Sequence, residues 1–326
     1  MTKLQNVLVT GATGFIGCHL CADLRRRGYR VKSALHRQPD GGLPRDHIGE
    51  SVIVGNIDAA TDWSQALVGV DSIVHLAARV HVMREHVTNP LAAYRAINTF
   101  GTVQLARSAA AAGVRRLVFV SSIKVNGETT SVKPFAAHDQ PAPMDAYGIS
   151  KWDAEIALQQ ISHETGLEVV IVRPPLVYGP GVKGNYLCLL RVVKRGIPMP
   201  FGSCNNKRSF VYLDNMTDLL VQCLAHSRAA GQTFLVSDGE DLSTPELVRR
   251  LARAYETTPR LISVPPAWLE AAARLVGRPG IYDRLCGSLQ LDIRHTRQTL
   301  QWTPPVSIEE GMIRTVRWSL DQGSLP

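Results

Sequence analysis

The stretch Val7-Leu8-Val9-Thr10-Gly11-Ala12-Thr13-Gly14-Phe15-Ile16-Gly17 decides the fold. Its apolar start is short and unbroken, as in a strand buried on both faces. Gly11 and Gly14 let the backbone turn tightly and approach a pyrophosphate, and Gly17 lets the following helix pack closely on the strand. That helix aims its N-terminal N–H groups and dipole at the phosphates. Thr13, Phe15 and Ile16 lie in the same turn, so the turn supplies six cofactor-binding candidates with Gly11, Gly14 and Gly17. The spacing is GxxGxxG rather than GxGxxG, so the reading leans on the order strand, glycines, helix and second strand at Arg30 to Leu35.

Similar apolar runs recur at Val31 to Leu35, Val52 to Val54, Ser72 to Leu76, Leu117 to Val120 and Val169 to Val172, separated by helical patterns. This alternation predicts an α/β fold, a doubly wound parallel (Rossmann) sheet with helices on both faces. Pro90 to Gly113 and Asp145 to Gly166 are expected to be two of the longest helices. Beyond Arg173-Pro174-Pro175 the texture changes to glycine- and proline-rich loops and then to helices. We therefore expect a dinucleotide-binding domain over residues 1–174, with a returning strand near 233–238. Residues 175–232 and 239–326 would form a smaller, mostly helical C-terminal substrate lobe, interleaved with the first.

The 326 residues carry a formal charge of +8 and a pI of about 9.3, which suits a phosphorylated ligand. The cations are scattered and not interleaved with aromatics, so no nucleic-acid partner is expected. Arg25-Arg26-Arg27 closes the first helix, where cations complement the dipole. Cys18-x-x-Cys21 falls inside that helix and reads as core packing rather than as a redox pair. The chain shows no signal-like leader and no long apolar run, so a cytoplasmic protein without membrane insertion is expected. His81 to His86 lacks zinc-ligand spacing, and no metal is expected.

Tyr147 and Lys151 stand four apart, on one face of a helix that follows the strand ending in Ser121-Ser122. Strand ends of an open parallel sheet line the ligand crevice. An ammonium beside a phenol lowers the phenol's pKa, which would make Tyr147 a usable acid or base. Ser122 can donate a hydrogen bond to a carbonyl oxygen. Ser122, Tyr147 and Lys151 are the catalytic candidates.

Six motifs complete the pattern: Thr10 to Gly17, His75-Leu76-Ala77-Ala78, Asn98-Thr99-Phe100-Gly101-Thr102, Val120-Ser121-Ser122, Tyr147-x-x-x-Lys151 and Arg173 to Gly181. Over nearly its whole length the chain resembles the extended short-chain dehydrogenase/reductase family, in particular nucleotide-sugar epimerases, dehydratases and 4-ketoreductases. The resemblance implies that Ser122 and Tyr147 bind the substrate oxygen and that Lys151 also holds the nicotinamide ribose. Asn98 would be a structural helper. The cofactor-binding set then includes His36, Arg37, Asn56 and Ile57, with Leu76, Ala77, Ala78, Pro174 and Val177. Asn185 and Arg208 stand where that family holds a diphosphate, and the fixed fork of an arginine suits phosphate. His81 and Lys124 are further substrate candidates. A homodimer through the two long helices is expected by analogy.

Two departures matter. Asn126 stands where many epimerases carry tyrosine, a variant resembling that of 4-ketoreductases and 4-epimerases of bacterial surface-polysaccharide pathways. Leu35-His36-Arg37 replaces the carboxylate that normally binds the adenosine ribose, which favours NADP (NADPH) over NAD. The leading expectation is NADPH-dependent reduction of a 4-keto UDP-N-acetylhexosamine. The alternatives are a UDP-hexose 4-epimerase with retained NAD and a non-catalytic dinucleotide sensor or scaffold. A dehydratase is disfavoured because no acidic pair follows Ser122.

Overall fold

A computed structural model describes residues 5–37, 49–80, 88–275 and 279–322. The first half runs β1 (Asn6–Thr10), α1 (Phe15–Arg26), β2 (Arg30–Leu35), β3 (Glu50–Ile53), α2 (Ser64–Leu67), β4 (Ser72–His75) and α3 (Pro90–Arg95). Then come α4 (Thr102–Ala111), β5 (Arg116–Val120), α5 (Ala146–Thr165), β6 (Glu168–Arg173), β7 (Leu176–Tyr178), α6 (Gly184–Lys194), β8 (Arg208–Tyr212) and α7 (Leu213–Ala225). The chain closes with β9 (Thr233–Leu235), β10 (Asp241–Leu242), α8 (Thr244–Ala254), α9 (Pro266–Leu275), α10 (Pro279–Cys286), α11 (Arg294–Leu300) and α12 (Ile308–Asp321).

Seven strands pair in the order β3-β2-β1-β4-β5-β6-β9, all parallel. Strand order reverses between β1 and β4, where an open parallel sheet binds its ligand. The period of two splits the apolar strands between two cores. Val7, Val9, Val118 and Val172 face α1 and α7 through Leu20, Leu24, Leu220 and Leu224. Leu8, Ile73, Leu117 and Ile171 face α4 and α5 through Leu105, Ala106, Ala154 and Leu158. A second sheet, β10-β8-β7, carries its own core of Tyr178, Tyr186, Phe210, Tyr212 and Val248. The returning strand β9 pairs with β6 in the large sheet.

Two elements differ from expectation. The helix expected over Pro90 to Gly113 is α3 and α4 joined by a π-helical turn, Ala96–Gly101. It sits where Asn98 turns inward to bond the Arg79 backbone (2.8 and 3.0 Å) and Ser150 (3.0 Å), and tertiary bonds of this kind override helical register. The strand expected at Val52 to Val54 begins earlier, at Glu50, because pairing with β2 sets its ends. By contrast α5 fits its expected limits, with Asp145 capping one end and left-handed Gly166 the other.

Arg26 and Arg27 pair with Asp23, and Arg27 also reaches Asp218, so this cluster is satisfied locally. All six cysteines are free thiols and Cys21 is buried. Among the described residues no metal-ligand cluster occurs, and no helix is long and apolar enough to cross a membrane.

Candidate active site

The glycine turn lies at the C-terminal end of β1, at the reversal of strand order. Gly11 has φ +66°, and a Cβ there would stand 2.8 Å from the Ala77 nitrogen; at Gly17 it would stand 2.1 Å from the Gly11 carbonyl oxygen. Only glycine fits either place. Gly14 caps α1 without any side-chain bond, so the helix's leading N–H groups have no side-chain cap to compete with an anion. The turn is braced from β4: Ala77 N donates to the Thr10 hydroxyl (3.2 Å) and Leu76 N to the Thr10 carbonyl (3.3 Å). Thr13 is exposed, Ala78 is half-buried, and Ile16, Leu76 and Val177 pack on the adjacent core. Phe15 instead packs on the core of the second sheet, so the turn borders both parts of the molecule. This cradle fits the diphosphate of a dinucleotide.

At the end of β2, His36 Nε2 hydrogen-bonds Asn56 Oδ1 at 2.6 Å, and both residues are exposed with Arg37 beside them. Ile57 lies against Gly101, where a Cβ would meet its side chain at 2.7 Å. Asp58, two residues beyond Asn56, accepts the Ala60 N–H (2.8 Å). The edge that normally receives the adenosine ribose thus carries a cation and an amide.

Ser122 follows β5 and caps the short 3₁₀ turn Ile123–Val125, while Pro174 supports that turn by accepting the Ile123 N–H at 3.0 Å. Tyr147 stands in the first turn of α5, beside the Ser122 side chain and edge-on to Tyr94 at 6.1 Å. One turn on, Lys151 is 1% exposed; its Nζ donates to the Val120 carbonyl (2.9 Å) and lies 4.5 Å from the centre of the Phe119 ring. The structure therefore brings the three catalytic candidates together.

Their electrostatics correct the expectation. Burial pushes the Tyr147 phenol up to about 12, with the Asp145 and Tyr94 charges adding and only Ser122 opposing. Burial also pulls the Lys151 ammonium down to about 7, partly countered by Glu155. Desolvation outweighs the pairwise effect of lysine on tyrosine, because the ammonium is held on a backbone carbonyl. At neutral pH the phenol keeps its proton.

A buried layer behind these residues was missed in the sequence. Ser121 donates to Glu155, and Glu155 takes a two-pronged bond from Arg173 at 3.0 and 2.5 Å. Arg173 also donates to Asn126 Oδ1 (2.9 Å), and Asn126 donates to the Ala136 carbonyl (3.1 Å). Asn126 is thus a buried brace of Arg173. His75, locked between the hydroxyls of Thr10 (2.6 Å) and Thr102 (3.0 Å), is held neutral, down to about 3, by burial and then by the Lys151 charge. The available signal for Glu155 was the extension of the four-residue spacing Tyr147, Lys151, Glu155 along one helix face.

Of the remaining substrate candidates, two are held by protein groups. Lys124 is paired with Asp145 (2.5 Å) and Glu128 (3.0 Å). Arg208 donates to the carbonyls of Gly287 (2.9 Å) and Asp283 (3.2 Å) at the end of α10. Asn185 is exposed in the first turn of α6. His81 lies outside the described residues.

A glycine cradle at the reversal of a parallel sheet, beside a half-buried tyrosine and a buried lysine on one helix face, defines the nicotinamide-dinucleotide-binding class. Comparison with known proteins agrees. The chain belongs to the NAD dependent epimerase/dehydratase family, whose model matches residues 7–237. It is 46% identical over 318 residues to a UDP-glucose 4-epimerase of Vibrio cholerae, covering 96% of this chain and 95% of the relative. It is 25% identical over 328 residues to the N-acetyl-alpha-D-glucosaminyl-diphospho-ditrans,octacis-undecaprenol 4-epimerase of Escherichia coli O157:H7, covering 96% and 95%. The crystal structure of UDP-glucuronic acid 4-epimerase from Bacillus cereus in complex with NAD superposes with a TM-score of 0.79 at 21% identity, covering 98% of this chain and 100% of that one. The family resemblance, the Rossmann-type fold and the enzymatic nature of the chain are borne out.

Proposed function

We propose that the protein transfers hydride at C4 of a UDP-sugar and that its principal reaction is NADPH-dependent reduction of a 4-keto UDP-N-acetylhexosamine. The observation that carries this reading is the placement of Tyr147 beside Ser122 and one helical turn before the buried Lys151, at the end of β5. At neutral pH that phenol holds the proton to be given. Ser122 would hold the carbonyl oxygen, and Tyr147 would give its proton to that oxygen as charge develops on it. When bound, the nicotinamide supplies the hydride. Lys151 would reach the ribose hydroxyls by leaving the Val120 carbonyl. Arg208 and Asn185 are the candidates for the substrate diphosphate, with Arg208 exchanging the carbonyls of α10 for phosphate oxygens. Arg37, at an edge where β2 ends in Leu35-His36 and not in a carboxylate, supports a 2'-phosphate and hence NADPH.

A second reading, a UDP-hexose 4-epimerase retaining NAD, is supported by the 46% identical relative. The two are separated by releasing any nucleotide from the purified protein, titrating the emptied site with NADPH and NADH, and assaying both reactions. The reductase predicts no retained NAD, tighter NADPH, and a loss of roughly tenfold or more in NADPH affinity on Arg37→Glu with NADH little changed. Stoichiometric NAD with sugar interconversion and no added cofactor would establish the epimerase instead.

A further inference from the structure

Helix α9 turns an apolar face to solvent. None of its ten residues is buried. Leu269, Glu270 and Ala273 are half-buried, and α9 packs on α10. Trp268, Ala271, Ala272 and Leu275 are exposed, Trp268 by 73% and Leu275 by 89%. These four positions follow the i, i+3, i+4, i+7 spacing of one helical stripe, which in a surface helix is ordinarily polar. The charged pair of α9, Glu270 and Arg274, is closed on itself at 2.6 Å.

The segment that leads to α9 is also exposed and apolar in part. Residues 260–262 pair with the stretch after α6 through Met199 N to Arg260 O (2.8 Å) and Ile262 N to Met199 O (2.9 Å). Ile262 and Ile197 are 53% and 43% exposed. Lys194, Arg195 and Arg260 stand beside these isoleucines, exposed and in no ion pair among the described residues.

We infer that α9 and the adjoining Ile197/Ile262 edge form a docking surface for an anionic lipid bilayer. The helix lies flat on the surface, since ten residues span roughly 15 Å, half the hydrocarbon thickness. Trp268 and Leu275 enter the headgroup boundary, where tryptophan is favoured, and Lys194, Arg195 and Arg260 meet lipid phosphates. The net charge of +8 acts in the same direction. A second copy of this chain is the poorer occupant, because a two-fold interface would press the same uncompensated cations against one another. The docked face adjoins α10, whose C-terminal carbonyls hold Arg208, so it lies on the side of the molecule from which that residue is held. The inference does not depend on the reaction proposed above.

The test is sedimentation of the full chain with phosphatidylcholine vesicles, with and without phosphatidylglycerol, beside gel filtration. We expect binding to the anionic vesicles alone, lost on raising salt. Trp268→Ser/Leu275→Ser should lower partitioning at least tenfold, and Lys194→Ala/Arg195→Ala about fivefold per cation removed. Both pairs of sites are exposed, and circular dichroism checks that the fold is kept. Failure to bind anionic vesicles, or equal binding by the Trp268/Leu275 variant, would overturn the inference. So would a wild-type oligomer that this variant dissolves, which would make the stripe a subunit interface.

Discussion

Replacing Lys151 by Met should make the protein more stable at neutral pH while abolishing its chemistry. Lys151 is 1% exposed and its ammonium is pulled from 10.5 to about 7 by burial. Its folded pKa lies below its unfolded one, so the unfolded chain binds the extra proton between about 7 and 10.5. Stability therefore rises with pH across that window, and the penalty is fully present below it. From those two values the penalty is about 4 kcal/mol at pH 7 and about 2 kcal/mol at pH 9. Methionine of similar length removes it but loses the bond to the Val120 carbonyl and the contact with Phe119, together worth about 2 kcal/mol.

The expected outcome is a variant about 2 kcal/mol more stable than wild type at pH 7 and nearly equal to it at pH 9. Urea unfolding of both proteins at the two pH values, without added nucleotide, measures this difference directly. Comparing the pair cancels the buried tyrosines and cysteines, which titrate in both. A variant less stable at pH 7, or a difference that does not shrink with pH, would refute the reasoning.

Tyr147→Phe should lower turnover by a factor of about 10² to 10⁴ with an unchanged melting profile, because the ring stays and only the proton donor goes; steady-state kinetics on the proposed substrate checks it. Glu155→Gln should destabilise the fold by about 3 to 5 kcal/mol, since Arg173 stays buried with its charge uncompensated, and urea unfolding at pH 7 reads the loss. Gly17→Ala should abolish dinucleotide binding in a calorimetric titration, because the added Cβ would stand 2.1 Å from the Gly11 carbonyl oxygen and force the turn open.

What the sequence carried was local. Continuous apolar strands and periodic helices mark the large sheet because each element repeats one pattern over adjacent residues. The glycine turn was legible for the same reason, since its strand, glycines and helix are consecutive. The π-helical turn at Ala96–Gly101 was not, because Asn98 is held by Arg79 and Ser150, 19 and 52 residues away. The partners that hold Arg208 in place, the Asp283 and Gly287 carbonyls, lie 75 and 79 residues away and could not be read from its neighbours. Asn126, noted in the sequence only for standing where many epimerases carry tyrosine, is the far end of the Arg173 brace, 47 residues from its partner.

The site's electrostatics show the limit most clearly. Four-residue spacing does place Tyr147, Lys151 and Glu155 in register, and that much was available to inspection. The sign of the tyrosine shift was not, because desolvation sums over every element packed around a group, while the pairwise rule sees two side chains. Here the sum wins for both: the phenol rises to about 12 and the ammonium falls to about 7. The two shifts move the groups apart, so that near pH 7 the phenol holds its proton while the ammonium sits close to its midpoint. A phenol raised to about 12 is a weaker acid than a free one, so its proton passes to the substrate oxygen only as charge develops there. The same group then serves as base in the reverse step, and the bound cofactor and sugar, not the phenol, set the direction of hydride transfer.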